Sequence, residues 1–113
     1  MARAPVLPEI IRQHAEMAAF LWTVYDRHLL NPDENPDMDA ERLDRLVERL
    51  EAHLDGLRVA GEEGRRIAAE VHAEYPEAGE LFVVRMLEAT APIPVRDLDL
   101  GKVRAFLQAN VAS

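Results

Sequence analysis

The chain has 113 residues, 49% hydrophobic and only 5% aromatic, and its 13 basic and 21 acidic side chains leave a formal charge of −8. Such a chain is one folded domain with an aliphatic core, not a disordered segment. So acidic a surface repels a phosphate backbone and an anionic bilayer, which sets aside nucleic-acid and membrane partners, and the lack of cysteine excludes disulfides, thiol nucleophiles and thiolate metal sites.

No apolar run approaches the roughly 18 residues that span a bilayer. The start, MARAPVLPEIIRQHAEM, has no signal-peptide pattern. The expected location is therefore the cytoplasm.

Residues 7–30 read as the first helix. Pro8 suits its first turn, where a missing N–H costs nothing. Leu7, Ile11, His14, Ala18, Leu21, Tyr25 and His28 make one stripe, widened by Ile10, Met17, Trp22 and Leu29. Asn31-Pro32 ends it, because a residue before proline is pushed out of the α region. Residues 31–39, NPDENPDMD, form an acidic loop that closes on Asp39, a good N-cap.

The second helix runs from residue 40 to about 59. Leu43, Val47, Leu50, Leu54 and Leu57 recur at alternating spacings of four and three, Leu46 widens the stripe, and charged residues fill the gaps. Gly56 inside it costs about 1 kcal/mol relative to alanine. Ala60-Gly61 ends it.

A third helix covers about 62–75, with Ile67, Ala68, Val71 and Tyr75 on its apolar side, and Pro76 stops it. The fourth covers 77–91. Its LFVVRML core is ambiguous between helix and buried strand, and the helical spacing of Glu80, Arg85, Glu88 and Ala89 decides for helix. Residues 91–97, APIPVRD, are an extended connector. Asp99 caps a last helix over 100–110, with Val103, Phe106 and Leu107 inward.

The expected fold is all-α with about five helices in one domain, 1–113. Residues 1–59 form an antiparallel hairpin and 60–113 carry the remaining helices. AGEEGRRIAAEVHA (60–73) and AGELFVVRMLEA (78–89) share an opening and suggest a short repeat.

Chemistry is sparse. Asp33, Asn35, Asp37, Asp39 and Glu41 fall at calcium-loop positions one to nine, but Met38 stands where glycine belongs and Asp44 where a bidentate glutamate belongs. The loop reads as solvated. His14, His28, His53 and His72 contain no HExxH, and Glu51 and Glu70 stand two residues from a histidine, not three. His14 and His28, on the apolar stripe of the first helix, read as interhelical hydrogen-bonding residues. Gly61 and Gly64 flank a helix start, but Glu62 and Glu63 between them repel a phosphate. No catalytic, metal or cofactor-binding residue is assigned.

The segments VLPEIIRQHAEMAAFLW (6–22), LDRLVERLEAHLDGLRVAGEEG (43–64) and AGELFVVRMLEA (78–89) together resemble the N-terminal region of a bacterial family of uncharacterised proteins with HEAT-like repeats of the phycobilin-lyase type. The specific part is Leu46, Arg49, Leu50, Ala52, His53, Leu54, Asp55, Gly56, Leu57, Arg58, Val59, Ala60, Gly61 and Gly64. The resemblance implies a bundle passing into a HEAT-like α-solenoid and no assigned catalytic residues. Some members lie near type VI secretion genes, which implies an adaptor or immunity protein. Members run several times longer, so the resemblance also implies a fragment. The loop 31–39 departs from the pattern as an irregular insertion.

The functional expectation is a non-enzymatic protein-interaction module. Asp33, Glu34, Asp37 and Asp39 are the expected docking residues for a basic protein partner, with the helix faces around Trp22 or Phe82 as the second place to look. The alternatives are a small metal-dependent enzyme on a helical bundle and a structural cap for a longer repeat protein. Self-association is left open.

Overall fold

The computed structural model describes residues 7–110. Five α-helices follow in order: α1, Pro8–Leu30; α2, Ala40–Val59; α3, Glu62–Glu74; α4, Ala78–Glu88; and α5, Leu100–Asn110. One 3₁₀ turn, Val95–Asp97, interrupts the connector before α5. Among the described residues there is no strand, so LFVVRML is helical. No helix there is long and apolar enough to cross a membrane.

The helix boundaries follow local chemistry. Pro8 opens α1. The Asp39 carboxylate accepts the Arg42 N–H at 2.8 Å and caps α2. Asp99 accepts the Lys102 N–H at 3.2 Å and does the same for α5. Gly61, at φ +63°, reverses the chain between α2 and α3 with almost no loop. α4 stops at Glu88, short of residue 91, because Ala89 turns extended. That turn sends the chain back over α2, where Val95 is fully buried and its N–H is accepted by the Glu51 carboxylate.

Helix α1 is the hub, in contact with α2, α3 and α4. Its inner face is narrow at Ala15, Ala18 and Ala19, all buried. α4 answers with Gly79, where a Cβ would stand 2.7 Å from the Ala19 carbonyl oxygen. The two backbones therefore nearly touch. Trp22 and Phe82 then stack across the same pair of helices, centroids 4.8 Å apart and planes at 19°. Both rings are buried, 3% and 2% exposed, so they are core and offer no docking face.

Leu50, Leu54 and Leu57 of α2 are completely buried, as their spacing requires. Other apolar residues are not. Tyr75 and Phe106 are exposed although periodicity turns them inward, and so are Leu7, Ile10 and Leu29. α5 packs on α4, and a helix with one main neighbour buries a narrow stripe, here Leu107. The Arg85 guanidinium lies 5.1 Å from the centroid of the Phe106 ring. Arg104 fixes α5 to α1 through Asp26, Nε to Oδ1 at 3.0 Å. The two Ala-Gly-Glu segments are not equivalent: Gly61 is a left-handed turn residue before α3, whereas Gly79 lies inside α4.

Candidate functional site

The acidic loop is built by two tight turns, with Glu34 N–H bonded to the Asn31 carbonyl and Met38 N–H to that of Asn35, each at 3.1 Å. Met38 tucks against the core and anchors it. Its four acids then diverge in role. Glu34 pairs with Arg27, whose hydrogen bond and charge hold the Glu34 carboxyl below the usual range. Asp39 is spent on the α2 cap. Asp37 offers its backbone oxygen to the Arg42 guanidinium at 2.7 Å. Among the described residues, the carboxylates of Asp33 and Asp37 carry no hydrogen bond, so two of the four charges face water uncommitted.

A longer anionic feature runs along α2. Glu41, Asp44, Glu48, Glu51 and Asp55 repeat at spacings of three and four, a stripe about 21 Å long at 1.5 Å per residue. It borders a groove of about 470 Å³ between α2 and the connector. Asp44, Glu48, Glu51 and Asp55 wall one side, Pro94 and Arg96 the other, and Val47 and Ala52 complete it. Asp44 pairs with Arg96, Glu41 with Arg45 at 2.7 Å, and Asp55 with Arg58 at 2.9 Å. Glu48 has no hydrogen-bond partner among the described residues. The sequence carries this stripe in its spacing, but the same acids read there only as filler between leucines.

Two of the four histidines meet. His14 of α1 and His53 of α2 place their Nδ1 atoms 2.9 Å apart. Ring centroids 5.2 Å apart leave one ring radius on each side of that contact, so the rings meet end to end, and whichever tautomer carries the proton on Nδ1 donates to the other. Gly56 permits the approach, since a Cβ there would lie 2.8 Å from the His14 ring. Burial, then the His14 and Arg49 charges, push the His53 imidazole below its usual pKa. This is the interhelical role expected of His14, whereas His28, of which the same was expected, makes no side-chain hydrogen bond among the described residues. His28 and His72 each keep a buried ring nitrogen that has no hydrogen-bond partner among the described residues.

One carboxyl does stand out. Burial pushes Glu80 above the usual range; its own backbone N–H and His72 oppose that, and Glu77 adds to it. Neither Glu80 nor His72 lines the groove along α2. Among the described residues no three His, Asp or Glu side chains converge as a metal site would need. Comparison with protein-family models, with curated proteins and with solved structures finds no match.

Proposed function

We propose that this domain is a non-enzymatic interaction module that holds a basic segment of a partner protein along α2. The observation that carries the reading is the five-acid stripe bordering a partly apolar groove. Groove and charge together fit a segment with arginine or lysine at helical spacing and small apolar residues between. The existing ion pairs present no obstacle. Asp44 and Arg96 are each about half exposed or more, and such pairs are worth about 1 kcal/mol or less, so a partner cation replaces one at little cost. Asp33 and Asp37, just before the α2 cap, extend the negative field and steer the approach. The adaptor or immunity role beside type VI secretion, the continuation into a HEAT-like stack and the cytoplasmic setting come from the resemblance along α2 and belong to the same proposal.

The test is fluorescence anisotropy with a labelled helical peptide bearing arginine at alternating spacings of three and four. Saturable binding that weakens with salt is expected. Glu48→Lys should weaken it several-fold, because that side chain is exposed and structurally uncommitted. Asp33→Asn with Asp37→Asn should slow association and leave dissociation unchanged. Equal affinity of wild type and Glu48→Lys would place the interface elsewhere.

A further inference from the structure

A second concave site lies at the other end of α2, and its chemistry is opposite. The C-terminal turn of α2, the start of α3 and the chain leaving α4 enclose a cavity of about 210 Å³. Arg58, Arg65 and Thr90 line it, with Leu57 and Leu87 as apolar wall, and no carboxylate contributes to the lining. In a chain of net charge −8, two guanidinium groups sharing one carboxylate-free cavity need a reason.

Arg58 supplies the sharper observation. Its side chain is only 19% exposed, and Nη1 is satisfied by Asp55 at 2.9 Å. Its Nη2 is buried and has no hydrogen-bond partner among the described residues. A buried donor without an acceptor costs about 1–3 kcal/mol, more when charged, so a small turn of this side chain toward an acceptor entering the cavity is favoured. Arg65 is exposed and forms no ion pair among the described residues. Thr90 adds a hydroxyl that can donate or accept.

Two effects compete over the sign of this site. α2 and α4 both end here, and each carbonyl end carries roughly half a negative charge. Against them stand two full guanidinium charges and the N-terminal end of α3, which carries about half a positive charge. Glu63, which the sequence sets against an anion at this turn, pairs with Arg66 and is absent from the cavity wall. Glu62, the other acid at this turn, is exposed and likewise absent from the cavity wall, and Asp55, the last offset, is 68% exposed, so both are screened by water. The balance favours an anion.

We infer that this cavity binds a small oxyanion, a phosphate or carboxylate group, clamped between Arg58 and Arg65 with Thr90 as a third contact. Guanidinium donors match the planar geometry of either group. The cavity volume admits the anionic group and a short apolar extension against Leu57 and Leu87. The site shares no lining residue with the α2 groove, although Asp55 of the groove wall pairs with Arg58, and a polyanion is not required.

The test is a titration of amide and arginine Nε–H shifts of the full chain, at constant ionic strength, with inorganic phosphate in one arm and succinate in the other. Saturable shifts at Gly61, Thr90 and Arg58 are expected in at least one arm, and the arm that saturates names the group. Arg65→Gln, at an exposed position, should weaken binding about tenfold, the worth of one charge-assisted hydrogen bond. Arg58→Lys keeps the charge and the fold but loses the fork, and should weaken it comparably. Linear, unsaturable shifts in both arms would overturn the inference, as would an affinity that Arg65→Gln leaves unchanged.

Discussion

Gly64→Ala sets helix propensity against packing, and the structure decides the sign. Gly64 is the third residue of α3, where alanine favours the helix by about 1 kcal/mol on propensity alone. A Cβ built there would stand 2.1 Å from the Leu57 carbonyl oxygen and 3.0 Å from its carbon. Ordinary carbon contacts begin at about 3.5 Å, so the start of α3 must move by more than about 1 Å. The obstacle is backbone, which has no rotamer to change. Moving α3 also lifts Ile67 and Ala68, both buried, off their neighbours. Overpacking of this kind costs about 1–3 kcal/mol, and a backbone clash lies at the upper end or beyond. The expected net loss is about 2 kcal/mol. Urea unfolding followed by far-ultraviolet circular dichroism measures it, with an unchanged slope showing that the unfolded state is the same. Gly101→Ala is the control. Its Cβ would meet only Asp99 Oδ1 at 3.5 Å, so it should gain about 0.4–1 kcal/mol. If Gly64→Ala is as stable as Gly101→Ala, α2 and α3 do not approach as described.

Leu50→Ala and Leu54→Ala should each cost about 2–5 kcal/mol, since transfer and cavity terms add at a site with no exposure, whereas Phe106→Ala should stay within about 1 kcal/mol. Urea midpoints for the three separate core from surface, and a comparable loss at Phe106 would mean α5 is packed more deeply. The His14–His53 pair predicts a pH effect whose sign follows from the depressed His53 pKa. Below about 6.5 the unfolded chain takes up the proton first, so stability present above that pH is lost as pH falls toward the folded value. His14→Gln with His53→Gln should flatten that slope, and an imidazole titration of His53 at or above the ordinary midpoint would contradict it.

What could be read from the sequence was what depends on near neighbours. The stripe through Leu50, Leu54 and Leu57, the caps Asp39 and Asp99, and the breaks at Pro32 and Pro76 each act within one or two turns. All appear where the spacing put them. The end of α4 was not legible, because it is set by where Val95 must go to reach α2. Phe106 misled for a related reason, since periodicity identifies an apolar side but exposure depends on how many neighbours a helix has, and Tyr75 because it falls just past the end of α3, where the helical direction is already lost. The His14–His53 contact joins residues 39 apart, and Gly56 reads as a weak point in a helix until the ring it admits is seen. The cavity at Arg58, Arg65 and Thr90 gathers three segments, none of which is unusual alone. The acid stripe on α2 was the avoidable omission, since its period is the same one that reveals the leucines.

That shared period has a mechanical consequence. Leucines and carboxylates alternate along one helix, so locking the first set fixes the second. Leu50, Leu54 and Leu57 hold α2 against the rest of the bundle with no exposed surface of their own. The acid stripe is thereby presented at fixed spacing before any partner arrives, and binding need not include the cost of ordering a loop. The loop acids Asp33 and Asp37 lack that support and fit a role in encounter better than in holding. A rigid stripe about 21 Å long also sets a length requirement. A basic segment of one turn spans only about two of the five carboxylates and one of two turns about three, while one of about four turns spans all of them without either side bending. On the proposed reading, specificity comes from register: a partner whose cations repeat at three and four, as the acids do, meets the stripe along its length, and one with another spacing drifts out of step.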